Sequence, residues 1–273
     1  MKMPDIPKWL NRKEERRQLT AYLQEHRMAT YGFIQVPEDE KVAYVRRHFN
    51  SVAQRYDLMN TILSLGIHYI WKHVAVNRMG LKPGDRVLDV CGGTGDLSIL
   101  ADRKIGNQGQ VFLCDINREM IDAGKNKPTN AVHRRRIAYI QGDIEALAFP
   151  DGSMDAAMVG FGIRNVTHME KGFAEMFRVL KPGGTLMCLE FSQPVWKWFR
   201  MLYDFHSFYI MPWLGELIAG SRKAYVHLPE TIRLFPLPDE LAETLENIGF
   251  TAVRYQRLTN GIAVVHTGRK PPV

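Results

Sequence analysis

Cysteine is scarce in this sequence, and long apolar runs are absent. The 273 residues contain only three cysteines, Cys91, Cys114 and Cys188, each within or beside an apolar stretch. This pattern is typical of reduced core residues in a cytosolic protein and argues against a disulfide framework. No apolar run reaches the about 20 residues that a membrane-spanning helix requires. The chain does not open with a basic region followed by an apolar segment, so we expect no secretory signal and a cytoplasmic location.

A strong imbalance of charge is also absent. The 36 lysines and arginines exceed the 29 aspartates and glutamates by little, which gives a formal net charge of +7. Such an excess fits attraction to nucleic acid, attraction to an anionic membrane surface, or simple solubility. No cluster of metal-ligating residues is visible, so we expect no metal. Hydrophobic residues make up 45% of the chain, enough for the core of one large α/β domain with additions.

A glycine-rich turn is the feature around which the sequence is organised. Residues 89–96 read Asp-Val-Cys-Gly-Gly-Thr-Gly-Asp, after an apolar run at 86–88 and before a helix-like start at 97–101. The order predicts a buried strand, a glycine turn and a helix. Glycines allow the backbone to approach a ligand closely, with the helix amides pointing at it. The turn therefore predicts a binding site for an adenosine-containing cofactor.

The turn favours S-adenosylmethionine over a dinucleotide. It lacks the G-x-G-x-x-G spacing that places a pyrophosphate on a helix end. Asp89 and Asp96 flank the turn, and carboxylates suit a sulfonium and an ammonium better than they suit a pyrophosphate. Asp96 has a second interpretation as a helix cap alone. Cys91, inside the turn, is interpreted as a small packed side chain rather than as a nucleophile.

Alternating strands and helices follow the turn. The predicted strands lie at 110–114, 137–141, 155–161 and 185–191. Strands that alternate with helices predict a mostly parallel sheet that binds its ligand at the carboxyl ends of the strands. The chain then ends in a predicted hairpin, at 251–258 and 262–268. We therefore predict the Rossmann-like α/β fold of class I methyltransferases, with seven strands and an antiparallel last strand.

Side chains near the predicted strand ends are candidates for cofactor contacts. Asp115 lies about 20 residues after the turn, where such folds place a carboxylate that accepts both ribose hydroxyls. Met120 is placed to touch the adenine, and Asp143 and Ile144 are placed to contact the adenine and its exocyclic amine. The turn itself contributes further candidates, Asp89, Gly92 and Gly95.

The amino-terminal part of the chain predicts helices. Residues 1–40 form a predicted helical extension, in which 11–27 is an amphipathic helix. This helix packs on the domain or on another subunit, contacts a membrane surface, or belongs to a partly disordered extension. The remaining residues, 41–273, form the predicted methyltransferase domain, which begins with a helical cap over 41–80.

Two segments of this domain have unusual patterns. In the cap, Asn60, Ser64 and His68 recur at intervals of four, so they share a helix face that lines a cleft or faces solvent. Between 194 and 220, tryptophan, phenylalanine and tyrosine are concentrated but interrupted by charged residues and Pro212. We interpret this aromatic segment as a lid over an apolar ligand or as an interfacial contact, with an ordinary pair of core helices as the alternative.

Two long motifs resemble those of a known family. The first comprises Tyr56, Asp57, Met59, Asn60, Leu63, Ser64, His68 and Trp71. The second comprises residues 178–184 (Arg-Val-Leu-Lys-Pro-Gly-Gly), Leu186, Leu189, Glu190 and Ser192. Between them lie Gly-Gly-Thr-Gly-Asp at 92–96 and Phe-Gly-Ile-Arg-Asn-Val at 161–166. Over residues 52–268 the sequence closely resembles the ubiquinone/menaquinone biosynthesis C-methyltransferases of the UbiE type.

The resemblance implies methyl transfer from S-adenosylmethionine to a ring carbon of a polyprenylated benzoquinol or naphthoquinol. The family's cofactor contacts fall on Thr94, Asp115, Asp143, Ile144 and Gly160. The sequence departs from the family in Cys91, in a longer amino-terminal extension and in a basic run at 133–136. None of these departures touches the expected chemistry.

The expected chemistry assigns catalytic candidates. A ring carbon becomes nucleophilic when the adjacent phenol loses its proton, and the ring must lie about 3 to 3.5 Å from the methyl group. Arg164 is the first choice for stabilising the phenolate. Tyr56, Asn60, His68 and Asn165 are candidates for orienting the ring or relaying the proton. His68 has the intrinsic pKa of a base but is equally well a structural residue. Glu190 is a helper or only the partner of a nearby cation.

The implied partner is the polyprenylated quinol, whose tail would need an apolar channel walled by residues 196–213. We therefore expect peripheral contact with the inner face of the cytoplasmic membrane, and a homo-oligomer is left open. Two alternatives are a class I methyltransferase of another phenolic or lipid substrate and a non-catalytic cofactor-binding subunit of a quinone-biosynthesis complex. No nucleic-acid partner is expected, because no Asn-Pro-Pro-Tyr-like motif follows the fourth strand. The sequence does not decide between the two rings.

Overall fold

The computed structural model describes Trp9, 13–127, His133 and 136–272, and these residues form nine strands and eleven α-helices. The strands are β1 (Met28–Tyr31), β2 (Ile34–Pro37), β3 (Arg86–Val90), β4 (Gln110–Asp115), β5 (Ile137–Gln141), β6 (Met154–Gly160), β7 (Leu180–Phe191), β8 (Thr251–Leu258) and β9 (Ala263–Arg269). The helices are α1 (Lys13–Glu25), α2 (Lys41–Val52), α3 (Tyr56–Leu63), α4 (Ile67–Arg78), α5 (Asp96–Ile105), α6 (Arg118–Asn126), α7 (Met169–Val179), α8 (Lys197–Phe205), α9 (Met211–Ala219), α10 (Arg222–Leu234) and α11 (Pro238–Ile248).

Within the described residues, β3 to β9 form one sheet in the order β5-β4-β3-β6-β7-β9-β8. The strands from β5 to β7 pair in parallel, whereas β9 pairs antiparallel with both β7 and β8. The predicted seven-stranded, mostly parallel sheet with an antiparallel last strand is therefore confirmed. Because the chain order reverses between β3 and β6, the carboxyl ends of these two strands frame the expected ligand crevice.

Both faces of the sheet are buried at its central strands, as the continuous apolar runs of β3 and β6 require. In β3, Val87 packs into the core on one face, while Leu88 and Val90 pack into the core on the other. All three side chains are fully buried. Burial of an aliphatic side chain contributes about 1.5 to 3 kcal/mol, so β3 is a rigid base for the glycine turn that follows it.

The amino-terminal segment contains an element that the sequence analysis does not predict. Helix α1 buries none of its residues and is joined to α11 by the ion pair between Arg16 Nε and Glu240 Oε2, at 2.9 Å. After α1, the strands β1 and β2 form a hairpin, so the prediction of a helical extension over 1–40 is wrong for this part. Gly32, with φ +60°, opens the two-residue turn and is the overlooked signal. Most of residues 1–12 lie outside the described chain.

The predicted cap at 41–80 consists of α2, α3 and α4, which are helical as expected. The aromatic segment at 194–220 forms α8, a π-helical turn at His206–Ile210, and α9. Helix α8 buries none of its residues, so the alternative of an ordinary core helix does not hold for it. Of the basic run at 133–136, Arg134 and Arg135 lie outside the described residues.

Candidate active site

A cavity of about 610 Å³ lies where β3 and β6 end. Its walls are formed by the glycine turn together with side chains from α2, α3, α4, the aromatic segment and α10. A second cavity of about 90 Å³ adjoins it. Residues that line both are Phe49, Tyr56, Cys91, Gly93, Gly160, Phe161 and Asn165. The two cavities therefore form one site with a narrow and a wide compartment.

The predicted cofactor residues divide between these compartments. The narrow compartment is lined by Asp115, Met120, Asp143, Ile144 and Gly160. The wide compartment is lined by Asp89, Gly92, Thr94 and again Gly160. Gly95 lines neither, and its positive φ of +87° instead turns the chain into α5. All predicted contacts except Gly95 thus meet in one place.

Two backbone amides, one of them in the glycine turn, bind the carboxylate of Asp115. The backbone amide of Gly93 donates to its Oδ2, and the amide of Asn117 donates to its Oδ1, both at 2.8 Å. Burial raises the pKa of Asp115 to about 6, against these two hydrogen bonds. Each carboxylate oxygen keeps a further lone pair, so both remain able to accept from a pair of ribose hydroxyls.

Asp89 is fully buried, and only one of its two carboxylate oxygens has a hydrogen-bond partner among the described residues. Ser98 Oγ donates to its Oδ2 at 2.6 Å, while Oδ1 has no hydrogen-bond partner among the described residues. Burial raises the pKa of Asp89 to about 7. A buried carboxylate oxygen without a partner is costly, and a cationic ligand removes this cost. The site therefore fits the ammonium and sulfonium of S-adenosylmethionine.

The glycine turn and the residue that follows β6 are tightly packed and strained. A Cβ atom added to Gly92 would lie 2.6 Å from Leu113 Cγ, so only glycine fits there. Cys91 and Phe161 both have positive φ, +52° and +58°, which costs a non-glycine residue about 1 to 3 kcal/mol. Burial raises the pKa of the Cys91 thiol well above its usual value, and the side chain packs against Gly162. The packing interpretation of Cys91 therefore holds.

Asp96 has a different environment from the one that the sequence suggests. Lys72 Nζ lies 2.6 Å from its Oδ2 and Lys127 Nζ lies 2.9 Å from its Oδ1. Burial opposes ionisation, but the two lysines outweigh it and hold the pKa of Asp96 well below its usual range. Because its charge is neutralised, Asp96 does not attract a cationic ligand, and this part of the sequence interpretation is wrong.

Asp57 completes this ionic network, and the sequence analysis gave it no role beyond its place in a motif. Its Oδ2 lies 2.5 Å from Lys127 Nζ, and its Oδ1 accepts from Thr94 Oγ1 at 2.8 Å. The network joins α3 to the glycine turn and to the end of α6. The lysines carried no recognisable signal, because they lie 24 and 31 residues from Asp96 and such distant pairing leaves no local pattern in the sequence.

Arg164 forms a buried ion pair at the edge of the wide compartment. Its Nη1 lies 2.8 Å from Oε1 of Glu190, and its guanidinium lies over the ring of Phe191 at 5.4 Å. Burial raises the pKa of Glu190, and Arg164 partly opposes this. Glu190 is therefore the partner of the arginine. Nε of Arg164 has no hydrogen-bond partner among the described residues.

The other catalytic candidates, Tyr56, Asn60, His68 and Asn165, all line the wide compartment. Both ring nitrogens of His68, and Nδ2 of Asn165, are buried without a hydrogen-bond partner among the described residues. Burial, and then Lys72, lower the pKa of His68 to about 4, so its ring is neutral near pH 7.

Tyr56 and the polar stripe of the cap face the same compartment. Burial raises the pKa of Tyr56, opposed by Arg164, Lys72 and a hydrogen bond to Asn60. Ser64 also lines the compartment and donates through Oγ to the Asn60 carbonyl at 2.6 Å. Of the two interpretations of the stripe, the cleft is therefore correct.

The wide compartment is also lined by polar residues that are not among the candidates from the sequence. His48 on α2 and His227 on α10 are among them, with ring centroids 4.7 Å apart. They are far apart in sequence, and no motif connects them. In the described part of the chain, no group of three or more His, Cys, Asp or Glu is arranged to hold a metal ion.

Comparison with known proteins identifies the family. Residues 35–270 match the model of the ubiE/COQ5 methyltransferase family. The chain belongs to this family. The ubiquinone/menaquinone biosynthesis C-methyltransferase UbiE of Marinomonas sp. (strain MWYL1) is 43% identical over 240 residues, 88% of this chain and 96% of the relative. The mitochondrial 2-methoxy-6-polyprenyl-1,4-benzoquinol methylase of Oryza sativa subsp. japonica is 41% identical over 268 residues, 92% of this chain and 91% of the relative.

Solved structures agree with this ubiE/COQ5-family assignment at the level of the fold. The [4+2]-cyclase SpnF has a TM-score of 0.61 at 16% identity, with 84% of this chain and 96% of that chain covered. An S-adenosylmethionine-dependent methyltransferase from Aquifex aeolicus has a TM-score of 0.53 at 18% identity, with 72% and 88% covered. The predicted family, fold class, cofactor and enzyme class, an S-adenosylmethionine-dependent methyltransferase, are confirmed.

Proposed function

We propose that this methyltransferase methylates a ring carbon of a polyprenylated quinol in menaquinone or ubiquinone biosynthesis. The observation that carries the proposal is the wide compartment, a cavity of about 610 Å³ that leads from the glycine turn into apolar walls. Three of its polar residues, Arg164, His68 and Asn165, have buried atoms without partners among the described residues. An apolar cavity with a few convergent polar groups suits a ring that carries oxygen and a hydrocarbon tail. The names of the relatives support the same chemistry.

The cofactor is assigned to the residues at the strand ends. S-adenosylmethionine, when bound, supplies an electrophilic methyl group on a sulfonium. Asp115 would accept the ribose hydroxyls, and Asp89 would bind the ammonium through Oδ1. Met120, Asp143 and Ile144 would hold the adenine in the narrow compartment. Gly92, Thr94, Gly95 and Gly160 shape the backbone around the cofactor.

The protein then has to generate and hold a phenolate. Arg164 stabilises the ionised ring oxygen, because its guanidinium is fixed by Glu190 and its charge is permanent. His68 has a free lone pair at neutral pH and accepts the phenolic proton. Burial lowers the pKa of His68 to about 4, so the imidazole does not retain this proton and releases it to water at the opening of the cavity. Tyr56, Asn60 and Asn165 orient the ring.

The tail leaves the cavity where its walls meet the surface. Leu65 and Leu202 line the wide compartment and are also 87% and 58% exposed, so they mark its opening. Trp198 and Met201 lie on α8 with Leu202 and are 59% and 73% exposed, and Trp196, just before this helix, is 58% exposed. Exposed apolar residues at the mouth of a lipid-binding cavity favour contact with a membrane surface. We assign this opening to the tail and to peripheral membrane contact. No helix in the described ranges is long and apolar enough to cross a bilayer.

The decisive experiment measures methyl transfer from labelled S-adenosylmethionine to reduced demethylmenaquinol and to the demethylated benzoquinol precursor, side by side. We expect label in at least one quinol, and the accepted substrate identifies the ring. Arg164→Ala should abolish transfer, whereas Arg118→Ala, at an exposed position on α6, should not. Cofactor binding without transfer to either quinol would contradict the proposal and favour another small-molecule substrate.

A further inference from the structure

The wide compartment contains a pair of histidines whose role neither the family motifs nor the proposed chemistry explains. His48 and His227 lie on α2 and α10, two helices that contact each other. Their ring centroids are 4.7 Å apart, and both side chains line the compartment. Neither imidazole forms a hydrogen bond or ion pair within the described residues, and their nitrogens are not sealed from the cavity.

The two rings are held by packing rather than by polar contacts. Tyr31 of the amino-terminal hairpin stacks on His227, with centroids 4.0 Å apart and planes 27° apart. Phe49 meets the ring of His48 edge-on at 5.1 Å. The imidazole nitrogens are therefore free to bind water in the cavity or the polar group of a ligand. A ligand hydroxyl that replaces this water keeps the hydrogen bonds of both rings.

The protonation state of the two histidines determines which chemical group of a ligand they can bind. Burial lowers the pKa of His48 to about 4 and that of His227 to about 2. Both rings are therefore neutral near pH 7, and each offers one N–H donor and one nitrogen acceptor. Together they match a hydroxyl group, which donates one hydrogen bond and accepts another. Arg164 lies close enough for its charge to lower the pKa of both histidines, so the pair and the proposed phenolate site share one compartment.

We propose that His48 and His227 bind the second hydroxyl of the quinol ring, the one para to the oxygen that Arg164 stabilises. One imidazole accepts the proton of this hydroxyl in a hydrogen bond, and the other donates its N–H to the hydroxyl oxygen. A 1,4-quinol is then held at both ends of its oxygen axis, which fixes the ring carbon that faces the cofactor. The inference rests on the proposed quinol function and adds the two residues that select the substrate.

The test compares two substrates in four proteins. The substrates are a short-tailed quinol and its analogue in which the second hydroxyl is replaced by hydrogen. The proteins are the wild type, His48→Leu, His227→Phe and the control His206→Leu, which removes another histidine of the same compartment. His227→Phe keeps a ring that can stack on Tyr31. The readouts are kcat and KM for each substrate and the Kd for S-adenosylmethionine.

We expect the wild type to prefer the quinol to the analogue. In His48→Leu and His227→Phe, kcat/KM for the quinol should fall about tenfold, mainly through KM, while the value for the analogue stays unchanged. The preference therefore disappears, with cofactor affinity retained. In His206→Leu, the preference should persist.

Three results would overturn the inference. The first is a wild type that uses the analogue as well as the quinol, which decides the matter even if a variant fails to fold. The second is a preference that survives in both histidine variants, which would leave the pair with a packing role. The third is a wild type that transfers no methyl group from S-adenosylmethionine to any quinol. Of the three results, only this one would also contradict the proposed function.

Discussion

The cofactor side and the ring side of the site differ in how completely their charged and polar groups are paired within the protein. On the cofactor side, which consists of the glycine turn, Asp96 and Asp115, most charge is compensated by the protein itself. Asp96 is paired with Lys72 and Lys127, and Asp115 accepts two backbone amides. The exception is Oδ1 of Asp89, the one atom of this side that we assign to the cofactor's ammonium.

The ring side consists of His68, Arg164, Asn165 and the pair of His48 and His227. Buried polar atoms of the first three residues lack a hydrogen-bond partner within the described chain. The two imidazoles of the pair form no hydrogen bond there either, but their nitrogens are open to the cavity. Each buried atom without a partner costs about 1 to 3 kcal/mol. Several of them in one compartment point to a ligand or to water that binds them there. We infer that the cofactor side is largely formed before binding, whereas the ring side is completed by its substrate.

Substitution of Arg164 should produce the strongest loss of activity, and this loss should arise on the ring side alone. Arg164→Gln should lower kcat by about 10²- to 10³-fold with little change in cofactor affinity. It also leaves Glu190 buried without its partner, so stability should fall by about 3 kcal/mol. Adding Glu190→Gln should restore stability but not rate. A double variant that recovered the rate would show that Arg164 only compensates Glu190.

The next effect concerns the pH dependence of the cofactor side. The pKa of Asp89, about 7, lies above its value in the unfolded chain, near 3.8. The folded state therefore binds the extra proton, and the stability linked to this group is lost as pH rises through about 7. Between pH 5 and 8 the cofactor-free protein should lose about 2 to 3 kcal/mol on this account.

Denaturant unfolding of the wild type and of Asp89→Asn at both pH values measures this loss. The variant should show a flatter profile, while Asp122→Asn, at an exposed position of α6, should behave like the wild type. An identical pH dependence in wild type and Asp89→Asn would mean that other groups control it.

Asp115 offers a smaller test of the same side. Asp115→Asn replaces one carboxylate oxygen with an amide that cannot accept from Gly93 or Asn117, and it removes an acceptor for the ribose. We expect the Kd for S-adenosylmethionine to rise about 30-fold, or about 2 kcal/mol. Calorimetric titration measures the change. If KM for the quinol rose while cofactor affinity stayed constant, the assignment of the two sides would be reversed.

The smallest expected effect lies at the opening of the cavity. The double variant Trp196→Ser and Trp198→Ser should bind vesicles of anionic phospholipid severalfold more weakly, as measured by flotation, because it loses exposed apolar area. Its activity on a short-tailed quinol should not change. Phe33→Ser, at an exposed position of the amino-terminal hairpin, is the control. Equal losses in both proteins would contradict a specific membrane-facing surface.

Much of the cofactor side could be predicted because its signals are local. Apolar runs locate β3, β4 and β6, and the chain returns to one sheet edge after each strand, which brings Asp115 beside the turn. The carboxyl-terminal hairpin follows from its own turn and strand pattern. By contrast, the ion pairs of Asp96 could not be predicted, because its neutralising lysines come from α4 and from the end of α6.

The ring side could be predicted only in part. The motif from Tyr56 to Trp71 shows which face of the cap is polar, and the structure directs that face into the cavity. The pairing of His48 with His227 depends on how α2 packs against α10, and no periodicity in either helix expresses this contact. The hairpin that supports the pair is short, and its strands mix exposed and buried positions without a clear alternation.

The most direct test of the account is a single-turnover measurement with excess enzyme saturated with labelled S-adenosylmethionine and a reduced demethylated quinol. We expect label in the quinol ring, and we expect Arg164→Gln combined with Glu190→Gln to transfer it at least about 10² times more slowly with unchanged cofactor affinity. A rate loss explained entirely by weaker cofactor binding, or no label in any quinol while the cofactor binds normally, would contradict it.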